Sequence, residues 1–207
     1  MNVFSWKSTL SSGGSHIAGL PGKIRNMFCG TQLDSTLNKV LFYGAEDEEQ
    51  RKRVGLDNLL CIYYVIIHAS NSVDICAPSL SSDTIVKSLI NVKQRRQAKV
   101  RIAIYNSVDY SHLRTFSKYG IEVKKISSDI QLEHEFVLIN ASICADAVAI
   151  IGSLDYEVTR VNCKRDTTLI TSELAVVSTL KCEFDRLWNS VPEIMKNLYD
   201  DNKSKSS

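Results

Sequence analysis

The chain has 207 residues, 44% of them hydrophobic and 23% charged, enough for one α/β-sized domain with a full core and tails. Its formal net charge of +2 gives no bulk signature of a nucleic-acid or membrane binder. The longest apolar stretch, Leu59 to Ile67 between Asp57-Asn58 and His68, falls well short of the roughly 18 residues of a membrane-crossing helix.

Residues 1–33 carry Lys7, Lys23 and Arg25, five serines from Ser5 to Ser15, and no acid before Asp34. That basic, Ser-rich, acid-poor composition suits a mitochondrial transit peptide and equally a disordered tail, so a mitochondrial or cytoplasmic location is expected. Residues 1–38 are read as this tail, 39–191 as the folded domain, and 192–207 as a polar C-terminal tail.

Val40 to Tyr43 reads as a first strand, and Gly44 to Arg53 as a charged loop. Leu56 to Ser70 is apolar on more than one face, as in a well-buried helix. Val73 to Ala77 is a strand stopped by Pro78. Ser82-Asp83 caps a helix reaching about Gln94. Val100 to Tyr105 is a strand, and a helix from Ser111 to Tyr119 ends at Gly120. Ile121-Glu122-Val123, Leu132 to Ile139, Ile150 to Leu154 and Leu169-Ile170 supply four more strands, and Leu174 to Asn189 a closing helix. The order β, α, β, α, β, α, β, β, β, β, α predicts a layered α/β domain with a mixed or mainly parallel sheet. Cys29, Cys61, Cys76, Cys144, Cys163 and Cys182 form no CxxC pair. Reduced cysteines are expected, and no zinc spacing is present.

Leu132-Glu133-His134-Glu135-Phe136-Val137-Leu138-Ile139-Asn140, followed by Ile151-Gly152-Ser153-Leu154-Asp155, is the most informative stretch. With Val40 to Tyr43, Ser72 to Cys76, Lys99 to Ile102, Gly120 to Val123 and Phe184 to Trp188, it resembles the phospholipase D superfamily. The resemblance runs from about Lys39 to Val191. It is strongest to the single-domain branch of mitochondrial cardiolipin hydrolases, the Zucchini endonucleases implicated in piRNA biogenesis. It implies a phosphodiesterase fold and a dimer in which each chain contributes one motif. That motif is His-x-Lys, four residues, Asp, then Gly-Ser-x-Asn. Here the His falls on Glu133, the Lys on Glu135, the Asp on Asn140 and the final Asn on Asp155, while Gly152 and Ser153 remain. The zinc-binding insertion of those relatives, expected between Tyr43 and Leu56, has no Cys or His. No counterpart of their N-terminal membrane anchor is expected in this sequence.

In such enzymes one His attacks phosphorus, a second protonates the leaving oxygen, and cations or amide donors stabilise the non-bridging oxygens. Glu133 and Glu135, two apart in a strand, share a face. A family-like dimer would therefore crowd four carboxylates into one cleft and repel phosphate. His134 falls on the opposite face, and a one-residue slip would invert the apolar pattern that follows it. His16, His68 and His112 have no partner pattern. Glu133, Glu135, Asn140 and Asp155 are oxygen donors suited to Mg²⁺, Ca²⁺ or Mn²⁺, although no spacing demands a metal and no cofactor is expected. Basic residues occur at Lys93, Arg95, Arg96, Lys99 and Arg101, and at Lys124-Lys125. Arg160, Lys164 and Arg165 would border the cleft of the family fold. The last three are the candidate phosphate contacts for single-stranded RNA or anionic lipid.

The reading is a catalytically inactive phospholipase D-like protein, a pseudoenzyme acting as a binding or regulatory subunit. It would be a homodimer or a heterodimer with an active relative. The alternative is an active phosphodiesterase, an RNA endonuclease or cardiolipin hydrolase, that uses acidic or metal-assisted chemistry.

Overall fold

The computed structural model describes residues 36–42, 47–80, 82–105, 110–126, 135–143, 146–152 and 167–190. Seven strands form one sheet in the order β1-β7-β6-β5-β2-β3-β4. They are β1 (Asn38–Phe42), β2 (Ser72–Ala77), β3 (Lys99–Ile104), β4 (Glu122–Lys125), β5 (Phe136–Ile139), β6 (Val148–Gly152) and β7 (Thr167–Thr171). The pairs β2–β3 and β3–β4 are parallel, and the other four are antiparallel. The sheet is thus mixed, in an α/β domain with four helices among the described residues: α1 (Glu48–Ile67), α2 (Asp83–Arg96), α3 (Tyr110–Lys118) and α4 (Leu174–Ser190).

Period-two alternation along the strands divides the core between the two faces. Val73, Ile75, Val100, Ile102, Ile104, Val137, Ile139 and Ile150 join Leu59, Ile62 and Ile66 of α1, Ile85 and Leu89 of α2, and Phe116 of α3. On the other face Cys76, Ala103, Phe136, Leu138 and Ala149 pack against Val177, Phe184, Leu187 and Trp188 of α4. Small residues on the strands beneath α4 leave room for its aromatic rings.

The stretch read as a charged loop up to Arg53 is, from Glu48 onward, the start of α1. The Asp47 side chain accepts from the Gln50 backbone N–H at 2.9 Å, which satisfies an orphan donor of the first turn. Lys52 and Glu48 pair at 2.7 Å one turn apart. Such turns are polar all round, so hydrophobic periodicity does not reveal them.

Arg101, grouped with the basic run in the sequence, is not available to a ligand. Its guanidinium holds Asp74, which is 1% exposed, through two bonds of 2.7 Å. It also lies 4.8 Å from the ring centre of Phe184 and 5.4 Å from that of Trp188. Lys124 donates to the Trp188 carbonyl at 2.8 Å. These cations tie α4 to the sheet through hydrogen bonds and ring faces. The described cysteines, Cys61, Cys76 and Cys182, are thiols outside any disulfide. Burial pushes the Cys61 thiol up to about 12 and the Cys76 thiol up to about 11, so neither is a ready nucleophile.

Candidate functional site

Strand β5 carries the motif between two ends of the sheet. Its antiparallel register with β2 sets Phe136 opposite Cys76 and Ile139 opposite Val73. Glu135 therefore lies at the end where β2 and β3 finish, and Asn140 at the end where they begin. Five residue steps separate them, about 17 Å of extended chain. The four oxygen donors considered for a metal cannot act as one set, because Glu135 and Asn140 are at opposite ends of the strand. Among the described residues no cluster of His, Cys, Asp and Glu is placed to hold a metal ion.

At the first end the two halves of the motif meet. The Gly152 N–H donates to the Glu135 carbonyl at 3.1 Å, and Phe136 pairs with Ile151 on β6. Glu135 is half-buried. Gly152 has a φ of +126°, and a Cβ there would sit 2.5 Å from the Thr167 carbonyl oxygen on β7. Only glycine fits this backbone and this approach. The glycine of the Gly-Ser element thus has a structural explanation in strand packing.

At the other end Asn140 is 1% exposed and left-handed, with φ +51°, a conformation asparagine tolerates. Its Oδ1 accepts from the backbone N–H groups of Ser70, Asn71 and Ser72 at 3.1, 2.9 and 3.3 Å. Its own N–H donates to the Ser72 carbonyl at 2.9 Å. One side-chain oxygen thus clamps the turn from α1 into β2 to the end of β5. The chemistry needed is an acceptor oxygen on a short stem, which Asn supplies as well as Asp. Position 140 is built into the fold, remote from the motif end. The clamp could not be read from the sequence, because its partners are backbone groups about 70 positions away.

Glu133, His134, Ser153, Asp155, Arg160, Lys164 and Arg165 lie outside the described residues, as do residues 1–35, which include His16, and residues 191–207. Of the other histidines, His68 Nδ1 meets the Tyr64 carbonyl at 2.8 Å. Burial pushes its imidazole below the ordinary value, an effect the Tyr64 carbonyl opposes and Arg96 reinforces. His112 Nε2 lies 3.2 Å from Asp83. Among the described residues no helix is long and apolar enough to cross a membrane.

Comparison with known proteins agrees with this architecture. A family model described as "Cardiolipin synthase, PLD-like domain" matches residues 62–188. Mitochondrial cardiolipin hydrolase of Xenopus laevis is 23% identical over 143 residues, covering 68% of this chain and 65% of that protein. The Homo sapiens protein of the same name is 24% identical over 147 residues, covering 69% and 55%. The chain thus spans less than two thirds of the length of either relative. Among solved structures, NucT from Helicobacter pylori superposes with a TM-score of 0.58 at 16% identity, over 77% of this chain and 99% of that one. Nuc from Salmonella typhimurium, a phospholipase D family member, gives 0.58 at 14% identity, over 76% and 97%. With its mixed sheet, its motif strands β5 and β6 and a family match over most of the described fold, the chain belongs to the PLD-like domain family.

Proposed function

We propose that this chain is a catalytically silent member of the PLD-like family, acting as a binding or regulatory subunit. It would pair with a second copy of itself or with an active relative. The observation that carries the reading is how the motif divides. Gly152 and Asn140 hold the strands and the β2 turn in place. At the end where β5 and β6 meet stands Glu135, which aligns in the sequence with the cation of the family motif, as Glu133 aligns with its nucleophile. Positions that build the fold keep groups able to build it, and positions that would attack or neutralise phosphate carry carboxylates. A phosphodiester approaching that edge would meet like charge, with no imidazole from this motif to attack phosphorus. The relatives are named mitochondrial, and with the basic N-terminal composition this supports a mitochondrial location.

The test is to incubate purified full-length protein with single-stranded RNA and with cardiolipin vesicles, in Mg²⁺, in Mn²⁺ and in EDTA. No turnover is expected under any condition. Hydrolysis that Glu133→Ala abolishes would overturn the proposal in favour of an active phosphodiesterase with acidic chemistry. Metal-dependent hydrolysis would do the same.

A further inference from the structure

Away from the motif, among the described residues, a strongly unbalanced surface lies where α2 and α3 end. These helices carry Lys87, Lys93, Arg95, Arg96, Arg114 and Lys118 against a single carboxylate, Asp83. Asp83 faces His112. Lys87, Arg95, Arg96, Arg114 and Lys118 are exposed, and among the described residues none of the six cations forms an ion pair. The two helix ends form one surface, because Lys93 reaches across to Gly120, just past α3, with its Cε 3.8 Å from where a Cβ would stand. Other cations of the sequence run are already engaged. Arg101 is held by Asp74, Lys124 by the Trp188 carbonyl and Lys99 by Glu122 at 3.7 Å.

This corner sits at the same end of the sheet as Asn140. Helix α2 leads into Lys99, which pairs with Ser72, and α3 leads into Glu122, which pairs with Arg101. The motif end, with Glu135 and Gly152, is the length of a strand away, about 17 Å.

We infer that the α2–α3 corner docks this protein electrostatically on an anionic lipid surface, with the motif edge turned away from it. Two features favour lipid phosphates over a nucleic-acid strand. Five of the six cations are exposed and spread over two helices, as suits charge attraction to a lipid interface within a Debye length. Among the described side chains of α2, α3 and the turn after α3, no exposed aromatic offers a platform for base stacking, since Tyr119 is half-buried with the Lys118 ammonium 5.8 Å from its ring centre. The inference is independent of whether the motif is catalytic.

The experiment is co-sedimentation of the full-length protein with vesicles of phosphatidylcholine alone, with phosphatidylserine, and with cardiolipin at matched surface charge. Binding is expected to both anionic vesicle types and not to the neutral ones, and to fall as salt is raised. Arg95→Glu/Arg96→Glu should weaken it by about tenfold or more, while Lys52→Glu/Arg53→Glu, an equal change in net charge at the start of α1, should leave it nearly unchanged. Melting curves would confirm that both double variants fold. Four results would overturn the inference: no binding to anionic vesicles, equal loss in the two double variants, binding of a single-stranded RNA with none to lipid, or binding to cardiolipin alone, which would replace charge attraction by headgroup recognition.

Discussion

At the scale of single residues, Asn140 and Gly152 make opposite demands on the chain. Asn140 needs an oxygen acceptor. Asn140→Ala would leave one buried and two part-buried N–H groups without it and should cost about 2 kcal/mol in denaturant unfolding, whereas Asn140→Asp should stay within about 1 kcal/mol of the parent. Gly152 needs the lack of a side chain. Gly152→Ala combines an unfavourable φ with a Cβ driven into the Thr167 carbonyl and should also cost about 3 kcal/mol. His68 gives a pH signature. Its folded-state pKa lies below the unfolded value because the imidazole is buried. The unfolded chain therefore takes up the proton first as pH falls, and stability present above about pH 6.5 is lost on the acid side. Unfolding midpoints measured across that window should fall with pH, and His68→Gln should flatten the slope.

At the scale of elements, α4 is held by more than apolar burial. Phe184 is fully buried, and with Trp188 it supports the Arg101 guanidinium. Phe184→Ala should cost about 3–5 kcal/mol. Removing Asp74 alone should cost less, about 2 kcal/mol, since the half-buried Arg101 would keep only its 3.5 Å contact with Asp185. Thermal or denaturant unfolding of Phe184→Ala and Asp74→Ala checks both. Most elements were legible because their apolar periods are clean. Val73 to Ala77, Val100 to Tyr105 and Leu174 to Asn189 were placed within a residue or two of the observed β2, β3 and α4. The first turns of α1 were not legible, because a solvated turn held by Asp47 and a Glu48–Lys52 pair carries no hydrophobic period. The Asp74–Arg101 lock was hidden as well. Each partner reads alone as a polar residue in an apolar strand, and only the parallel register of β2 and β3 sets them side by side.

At the scale of the whole molecule, one strand joins two ends with different tasks. The end holding Asn140 ties the β2 turn to β5. The end holding Glu135 and Gly152 is where β5 and β6, the two motif strands, meet. The family of the two motif strands was legible from the residues. The distance between positions 135 and 140 was not, because a sequence motif does not say which of its members face the same site. If position 140 only clamps, restoring chemistry should not need it. The direct measurement is phosphodiester turnover by the full-length chain and by Glu133→His/Glu135→Lys, each with Asn and with Asp at position 140. The expected result is turnover only in the two chains that carry Glu133→His/Glu135→Lys, equal within a few-fold whichever residue stands at 140. Turnover by the unaltered chain, or a folded double variant that reacts only after Asn140→Asp is added, would contradict the account.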